Sequence, residues 1–390
     1  MKPVKNFAVI GGGSLGTLIA LRLSNLGLNV EIYESKSELL RGASYLGEGK
    51  IHLGYTYGLS QKSSYGQLVE SALNFAEIVE TSIGHTINWK DLTSIPFTYT
   101  IAQSSLIDSS QFMNHAINII KLLQVEDGSR SYLGEAIDEV AHLTRTSESS
   151  FLTKERAVDL EKLGKILKEE VGERINISTH LNSEILSIET KLTNKYILTT
   201  RDGKIDKEFD YVINCTWDQR HNLDRFFWDT LPELNYRTKI YISAKTTLKE
   251  AAETTVLGKF GDLVVFNTGR LYASDYLTGL TSFTTGFNPN FAEREELPEE
   301  LVFKHWNNFK SRFSAMMPEL NGITEIETFE RTVVAKGDKD IDQLESGLHD
   351  RPPYYIARKE NFISALGTKF TTIPQLAMKI VDWIEPDGVN

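Results

Sequence analysis

The chain opens with a glycine-rich turn between a predicted strand and a predicted helix. Residues 6–10 form an apolar run that predicts a strand, and the string Gly11-Gly12-Gly13-Ser14-Leu15-Gly16 follows it directly. The residues after this turn repeat apolar side chains at helical spacing, and residues 29–34 predict a second strand. This strand-helix-strand order with a GxGxxG turn predicts a Rossmann unit that binds a dinucleotide.

Each glycine of the motif is expected to do something that a larger residue cannot. Gly11 allows the tight turn, Gly13 lets the backbone approach a pyrophosphate, and Gly16 lets the helix pack on the strand. The pyrophosphate is expected beside Ser14 and Leu15, because free N–H groups at a helix N-terminus favour an anion.

A carboxylate stands at the end of the second predicted strand. Glu34 comes 23 residues after Gly11 and is followed by Ser35. A carboxylate at this position accepts hydrogen bonds from ribose hydroxyls, so Glu34 and Ser35 are predicted to contact the cofactor. An acid there disfavours a 2′-phosphate, which argues against NADP and leaves NAD and FAD open.

Composition limits the partners and the location. The chain has 390 residues, 41% of them hydrophobic and 24% charged, so it is long enough for two or three domains. It contains no apolar run of ~20 residues, and its opening residues do not resemble a signal peptide. A net charge of −11 with scattered basic residues disfavours nucleic acid as a partner. With Cys215 as the single cysteine, we expect no disulfide, no metal site and a cytoplasmic location.

Periodicity predicts further elements along the chain, but it predicts no order of elements within residues 86–150. In chain order these are a helix over 68–82, an amphipathic helix over 158–171, strand-like stretches over 175–189 and 195–203 with a hairpin turn at Asp202-Gly203, a buried strand over 211–215, an antiparallel sheet within 236–290, a helix over 299–318, a strand over 360–366, a turn over 367–372 and a helix over 373–384.

The segment after the Rossmann unit carries a family resemblance. From Arg41 the chain reads RGASYLGEGKIHLGYTY, which resembles the corresponding segment of the FAD-dependent D-amino-acid oxidase superfamily, including glycine oxidases and L-2-hydroxyglutarate oxidases. Residues 51–57 are similar to the IHxGxxY string of the hydroxyglutarate branch. The resemblance implies that Ala43, Ser44, Ile51 and His52 line the flavin, although Leu46-Gly47 departs from the Asn that many members carry there.

Two later segments resemble the same superfamily. DYVINCTW resembles a strand of its nucleotide sheet, which would bring Cys215 and Thr216 to the cofactor. ENFISALGTKFTTIPQLAMKI resembles its terminal strand, turn and helix, an element that an NAD dehydrogenase has no reason to carry. The backbone N–H groups of that turn and the Lys369 charge would stabilise the negative N1–C2 edge of a reduced flavin. The turn residues expected at the flavin are Gly367, Thr368, Lys369, Phe370 and Thr371.

The resemblance implies an α/β fold, α+β overall, with discontinuous domains. Residues 1–85, 151–225 and 341–390 are predicted to form a Rossmann-like FAD-binding domain with a mostly parallel sheet. Residues 86–150 and 226–340 are predicted to form a substrate domain on an antiparallel sheet that caps the flavin.

Oxidation by flavin moves a hydride from the CH–NH or CH–OH bond of a substrate to flavin N5, so the protein must orient the substrate and exclude water. His52 is a candidate general base, with a ring contact or a buried core histidine as the alternatives. A substrate carboxylate would pair with an arginine, and the candidates are Arg270, Arg331 and Arg358. Tyr55 and Tyr57 are expected either to wall the ring or substrate, or to pack in the core.

The predicted function is therefore an FAD-dependent oxidoreductase acting on a small amino- or hydroxy-acid-like substrate, with oxygen or another acceptor taking the electrons. Two alternatives stay open. One is an NAD-dependent dehydrogenase, and the other is a nucleotide-binding protein without catalysis.

Overall fold

The computed structural model describes residues 5–58, 62–123, 131–136, 143–147, 149–286, 297–335, 343 and 354–384. Its helices are α1 Ser14–Asn25, α2 Lys62–Leu73, α3 Phe75–Ile83, α4 Trp89–Leu92, α5 Ser109–Leu123, α6 Leu160–Glu173, α7 His221–Asp224, α8 Tyr276–Gly279, α9 Glu299–Phe313 and α10 Ile373–Ile384. The first strands are β1 Asn6–Ile10, β2 Asn29–Tyr33, β3 Lys50–Ile51, β4 Thr98–Ile101, β5 Ser131–Tyr132, β6 Glu135–Ala136, β7 Thr144–Ser147, β8 Ser150–Leu152, β9 Arg156–Ala157, β10 Ile177–His180 and β11 Ser187–Thr190. The later strands are β12 Tyr196–Thr200, β13 Gly203–Lys204, β14 Tyr211–Asn214, β15 Leu234–Lys245, β16 Ala251–Val256, β17 Gly261–Val265, β18 Arg270–Asp275, β19 Leu280–Gly286, β20 Glu327–Ala335, β21 Tyr355–Lys359 and β22 Phe362–Leu366.

Six strands from distant parts of the chain form the first large sheet, in the order β10-β2-β1-β14-β22-β21. The pairs from β10 to β22 are parallel, and the edge strand β21 runs antiparallel to β22. The order reverses at β1, which pairs with β2 on one side and β14 on the other. In open sheets of this kind, ligands bind beyond the carboxyl ends of the strands at such a reversal.

A second large sheet has nine strands and is mostly antiparallel. Its longest strand, β15, pairs with β18, β19 and β20, and β4, β7 and β8 join the sheet through a parallel pair between β16 and β4. This sheet, beside the parallel one, confirms the predicted fold class.

Helices cover the parallel sheet because their apolar faces need a partner. α10 buries Leu376, Ala377, Ile380 and Val381, and it packs against α1. α1 is buried over most of its length, consistent with a helix that lies between the sheet and other helices. None of the helices in the described ranges is both long and apolar enough to span a membrane.

Four local predictions need correction. The helix expected over 68–82 is interrupted at Asn74, where α2 ends and α3 begins. The stretch 175–189 holds two strands in different sheets, because the chain turns at Asn182, with φ 54°, between β10 and β11. The hairpin after β12 turns at residues 201–202, since Thr200 is already paired with Gly203. The helix predicted to reach 318 ends at Phe313.

Candidate active site

A cavity of about 770 Å³ lies between the two large sheets. Its wall includes the residues that follow β1, β2, β14 and β22 at the carboxyl edge of the parallel sheet, and it extends to Lys239 and Tyr241 on β15. The cavity therefore occupies the place where a sheet of this topology binds its ligand.

The glycine turn forms part of the cavity wall, and two of its glycines are required by close backbone contacts. Gly11 has φ 98°, and a Cβ placed there would lie 2.7 Å from the carbonyl oxygen of Cys215. A Cβ on Gly16 would lie 2.0 Å from the oxygen of Gly11, so helix α1 could not pack on the turn. Gly13 differs, because the nearest atom to a Cβ there is Ser44 Oγ at 3.6 Å.

Helix α1 begins at this turn without a side-chain cap. The residue that precedes its first turn is Gly13, and the N–H of Ser14 donates to Ser44 Oγ at 3.0 Å. Glu34 also lies here, since one carboxylate oxygen accepts from the N–H of Gly12 at 2.8 Å and the other accepts from the N–H of Lys36 at 2.8 Å. The N-terminus of α1 and Glu34 thus face one cavity, an arrangement that suits a phosphate next to a ribose.

The turn after β22 meets the segment around His52 at the cavity wall. Residues 367–370 line the cavity, and Lys369 Nζ lies 3.2 Å from His52 Nε2. Thr371 points away from the cavity and joins the two segments, because its Oγ1 accepts from the N–H of His52 at 2.9 Å and donates to the carbonyl of Lys50 at 3.3 Å.

A family model described as DAO, FAD dependent oxidoreductase, matches residues 6–383. The chain belongs to this family. FAD is therefore the cofactor, and the NAD-dependent alternative falls away. A comparison with curated proteins gives no match.

Solved structures resemble this flavoenzyme over nearly its whole length. A glycine oxidase from Geobacillus kaustophilus is 15% identical with a TM-score of 0.65, and the match covers 98% of this chain and 95% of that chain. An L-proline dehydrogenase from P. horikoshii is 12% identical with a TM-score of 0.68, covering 99% and 95%. A dithionite-reduced L-α-glycerophosphate oxidase from Mycoplasma pneumoniae with FAD bound is 13% identical with a TM-score of 0.66, covering 97% and 94%. At these identities the likeness concerns the fold.

The residues present fit FAD. The space beside Gly13 is open to a bulky group, the first N–H groups of α1 suit a pyrophosphate, and the Glu34 carboxylate lines the same cavity. Predicted residues that line the cavity are Gly11, Gly13, Ser14, Leu15, Glu34, Ser35, Ala43, Ser44, His52, Cys215, Thr216, Gly367, Thr368, Lys369 and Phe370.

Some residues predicted at the flavin lie behind the wall. Gly16 contributes by packing, and Ile51 is a fully buried residue of β3, paired with Arg156. Tyr55 and Tyr57 are 1% exposed and belong to the hydrophobic core, so the packing alternative holds for both. A short resemblance does not say which side chains of a segment face the cavity.

His52 faces a buried carboxyl group that the sequence did not indicate. Its Nδ1 lies 3.5 Å from Oε1 of Glu155, which is 0% exposed. Glu155 accepts from the N–H of Leu53 at 2.6 Å and from the hydroxyl of Tyr99. Burial raises the pKa of Glu155, while the positive charge of Lys50 and these two hydrogen bonds oppose the shift.

Lys50 is the centre of a second buried group of charges. Its Nζ lies 2.8 Å from Glu48 Oε1 and 3.3 Å from Asp262 Oδ1, and its side chain is 1% exposed. Asp262 also accepts from the hydroxyl of Tyr276 at 2.5 Å and lies 3.9 Å from Lys239 Nζ. Burial alone would raise the pKa of Asp262, but the charges of Lys50 and Lys239 lower it. Burial and the Asp262 charge raise the pKa of Glu48.

The structure corrects the arginine predictions. Arg270 is 1% exposed and lies outside the cavity wall, since its Nε donates to Asp159 at 2.9 Å and its Nη1 donates to the carbonyl of Leu46 at 3.3 Å. Arg358 also lies outside the wall and donates to the carbonyls of Glu360 and Trp383. Neither is available to a substrate carboxylate in the cavity.

Of the three arginine candidates, Arg331 lines the cavity. It lies directly opposite Lys239 in the pairing of β20 with β15. Its guanidinium donates to two neutral groups, the carbonyls of Gly42 at 3.3 Å and Glu330 at 2.8 Å. Lys239 already has Asp262 at 3.9 Å, so it is chiefly the Arg331 charge, which lies opposite it, that favours an anion in the cavity.

Besides Glu155, four charged residues near the cavity were not singled out in the sequence. Glu48 and Lys50 stand in the segment that resembles flavin-lining sequence, where two charges were the available signal. Lys239 is polar at an inward position of a strand, and Asp262 begins an otherwise apolar run. Lys50 reaches Thr254 and Asp262 roughly 200 residues away along the chain, which is why spacing could not reveal this group.

We predict that Asp262→Asn lowers the free energy of unfolding by about 3–5 kcal/mol, because it leaves Lys50 in the interior with one acidic partner fewer. Since the pKa of Asp262 is lowered, its contribution is present above the unfolded pKa of about 3.9 and declines as the pH falls below it. A urea titration measures the change. Glu184→Gln is the control, because it removes an exposed ion pair with Arg201 and should change stability little. Equal losses in the two variants would contradict the prediction.

Proposed function

We propose that this flavoenzyme oxidises the CH–NH or CH–OH bond of a small substrate that carries a carboxylate. The observation that supports the proposal is the shared cavity, which has a cofactor-binding turn on one side and the Lys239–Arg331 pair on the other. Bound FAD would supply the acceptor for the hydride. Oxygen or another acceptor would then take the electrons.

Within this cavity we place the cofactor along the edge of the parallel sheet. Glu34 would accept from the ribose hydroxyls, Gly13 and Ser14 would bind the pyrophosphate, and Ser44 would lie beside it. The turn 367–370 would contact the flavin ring. What supports this order is that all these residues line one cavity and that the turn after β22 adjoins the strand ends of β14 and β1.

The substrate would lie between the flavin and the nine-stranded sheet. Lys239 and Arg331 would bind its carboxylate, and Arg331 suits this because a guanidinium pairs with a carboxylate through two parallel hydrogen bonds. Tyr272 and Tyr276 also line this part of the cavity and would exclude water. Two of the similar structures are named for glycine and L-proline, both of which carry a carboxylate.

The domain division also remains our proposal. The six strands of the parallel sheet fall within 1–85, 151–225 and 341–390, and the nine-stranded sheet takes its strands from 86–150 and 226–340, except that β8 crosses the boundary at 150. Parts of these ranges lie outside the described residues. We also propose a cytoplasmic location, which the single cysteine supports.

Anaerobic bleaching of the flavin tests the function. The FAD-loaded protein is mixed without oxygen with a panel of amino acids and hydroxy acids, and the main visible band of the oxidised flavin is followed. We expect at least one carboxylate substrate to bleach the band, and oxygen or an artificial acceptor to restore it. Bleaching by dithionite but by no member of the panel would count against the proposal and for a protein without catalysis.

We predict that Gly13→Leu abolishes retention of FAD, because the new side chain would fill the open space beside the α1 N-terminus. The ratio of FAD to protein after purification measures this. Gly172→Ala in α6 is the control, since a Cβ there meets no atom within 4 Å. Thermal unfolding of the apoproteins checks that both variants fold. FAD at the wild-type ratio in Gly13→Leu would refute the placement of the pyrophosphate.

We predict that Arg331→Met weakens binding of a carboxylate substrate by about 10- to 150-fold, the effect of losing hydrogen bonds to a charged group worth about 1.5–3 kcal/mol. Arg358→Met is the matched control and should leave the affinity unchanged, because Arg358 lies outside the cavity wall. Anaerobic titration of the flavin spectrum gives the dissociation constants. Equal effects in the two variants would show that Arg331 does not bind the carboxylate.

A further inference from the structure

A chain of contacts leads from the protein core to the cavity through His52. At its inner end, the buried carboxyl of Glu155 accepts from the N–H of Leu53 and the hydroxyl of Tyr99, and its Oε1 lies 3.5 Å from His52 Nδ1. An ionised carboxylate accepts both hydrogen bonds, and its negative charge attracts a proton on Nδ1 across the 3.5 Å contact. This arrangement favours a proton on Nδ1 of His52.

At its outer end, this chain of contacts reaches the cavity wall. The other ring nitrogen of His52, Nε2, lies 3.2 Å from Lys369 Nζ. A lysine ammonium has three donors and no acceptor, so Nε2 must present its lone pair to it. His52 in this geometry is a neutral imidazole that donates from Nδ1 and accepts at Nε2.

The backbone supports the same arrangement. Thr371 Oγ1 accepts from the N–H of His52 and donates to the carbonyl of Lys50, which ties the segment around His52 to the turn that carries Lys369. His52 is 6% exposed, so its ring has little freedom to leave this position. The lone pair at Nε2 is therefore directed at Lys369 and not at a substrate.

We propose that Glu155 and His52 are positioning residues that hold Lys369 as a cation in the cavity wall, and that His52 is not the base for the substrate. This inference rests on the proposed function, which places the flavin ring beside residues 367–370. There the Lys369 charge favours the reduced flavin, which carries negative charge at its N1–C2 edge. Glu155 acts through His52, because a carboxylate behind an imidazole fixes its tautomer.

Glu155→Gln tests the proposal in the FAD-loaded protein, with two measurements that need no substrate. A glutamine has one acceptor oxygen in place of two, so its amide NH₂ would take the place of the oxygen that faces His52 Nδ1. An NH₂ group there donates to Nδ1, which moves the ring proton to Nε2. ¹⁵N NMR of histidine-labelled protein, assigned with His52→Gln, reports the tautomer. We expect Nδ1–H in the wild type and Nε2–H in Glu155→Gln.

The midpoint potential of the bound flavin is the second measurement. We expect Glu155→Gln and Lys369→Met to lower the midpoint potential by similar amounts, each by at least about 30 mV. For a two-electron couple this corresponds to a tenfold change in the ratio of oxidised to reduced flavin. In Lys369→Met the Nδ1–H tautomer should persist, which keeps the test valid if Glu155→Gln folds poorly. Glu253→Gln is the control, a half-buried carboxyl outside the cavity wall, and should change neither measurement.

Several outcomes would overturn the inference. These are an Nε2–H tautomer in the wild type, a potential that Lys369→Met leaves unchanged, or a lowered potential in Glu155→Gln with the His52 tautomer unaltered. The proposed function fails separately, through absent FAD or a flavin that no substrate bleaches. Neither of those results affects the tautomer that NMR reports.

Discussion

Backbone contact at the glycine turn is the constraint on which the site depends. Gly11 lies against the carbonyl of Cys215, and Gly16 lies against the carbonyl of Gly11, at separations that leave no room for a Cβ. Helix α1 therefore starts directly above the carboxyl ends of β1 and β14. Its N-terminal N–H groups and its dipole then face the cavity, and the turn after β22 arrives at the same edge because β22 pairs with β14.

Buried charges join the segment after the Rossmann unit to the second sheet. Lys50 reaches Asp262 on β17, and the backbone of Leu53 binds Glu155, which also binds Tyr99 on β4. Desolvation offsets much of the attraction in such pairs, so their net contribution to stability is small while the loss of one partner is costly. Their main effect here is geometric, since each contact fixes the cavity wall relative to the nine-stranded sheet.

Sequence patterns succeeded where the physical cause is local. The strand 6–10 is found at β1 with the same bounds, and the terminal helix 373–384 coincides with α10, since turn glycines and helical periodicity act over a few residues. The family resemblance located three separated segments that border one cavity. The helix predicted over 68–82 was wrong at Asn74, where the neighbours change: α2 packs against α5, whereas α3 packs against α1 and α10.

The sequence by itself determined the dinucleotide turn, the acid at Glu34 and the flavin family, because each depends on neighbouring residues in a fixed order. The tertiary structure decided which charged side chains reach the cavity. Arg270 is held by Asp159, more than a hundred residues away, whereas Arg331 stands opposite Lys239 at the cavity wall. Charges attract across space and not along the chain, so only the folded structure shows that His52 lies between Glu155 and Lys369.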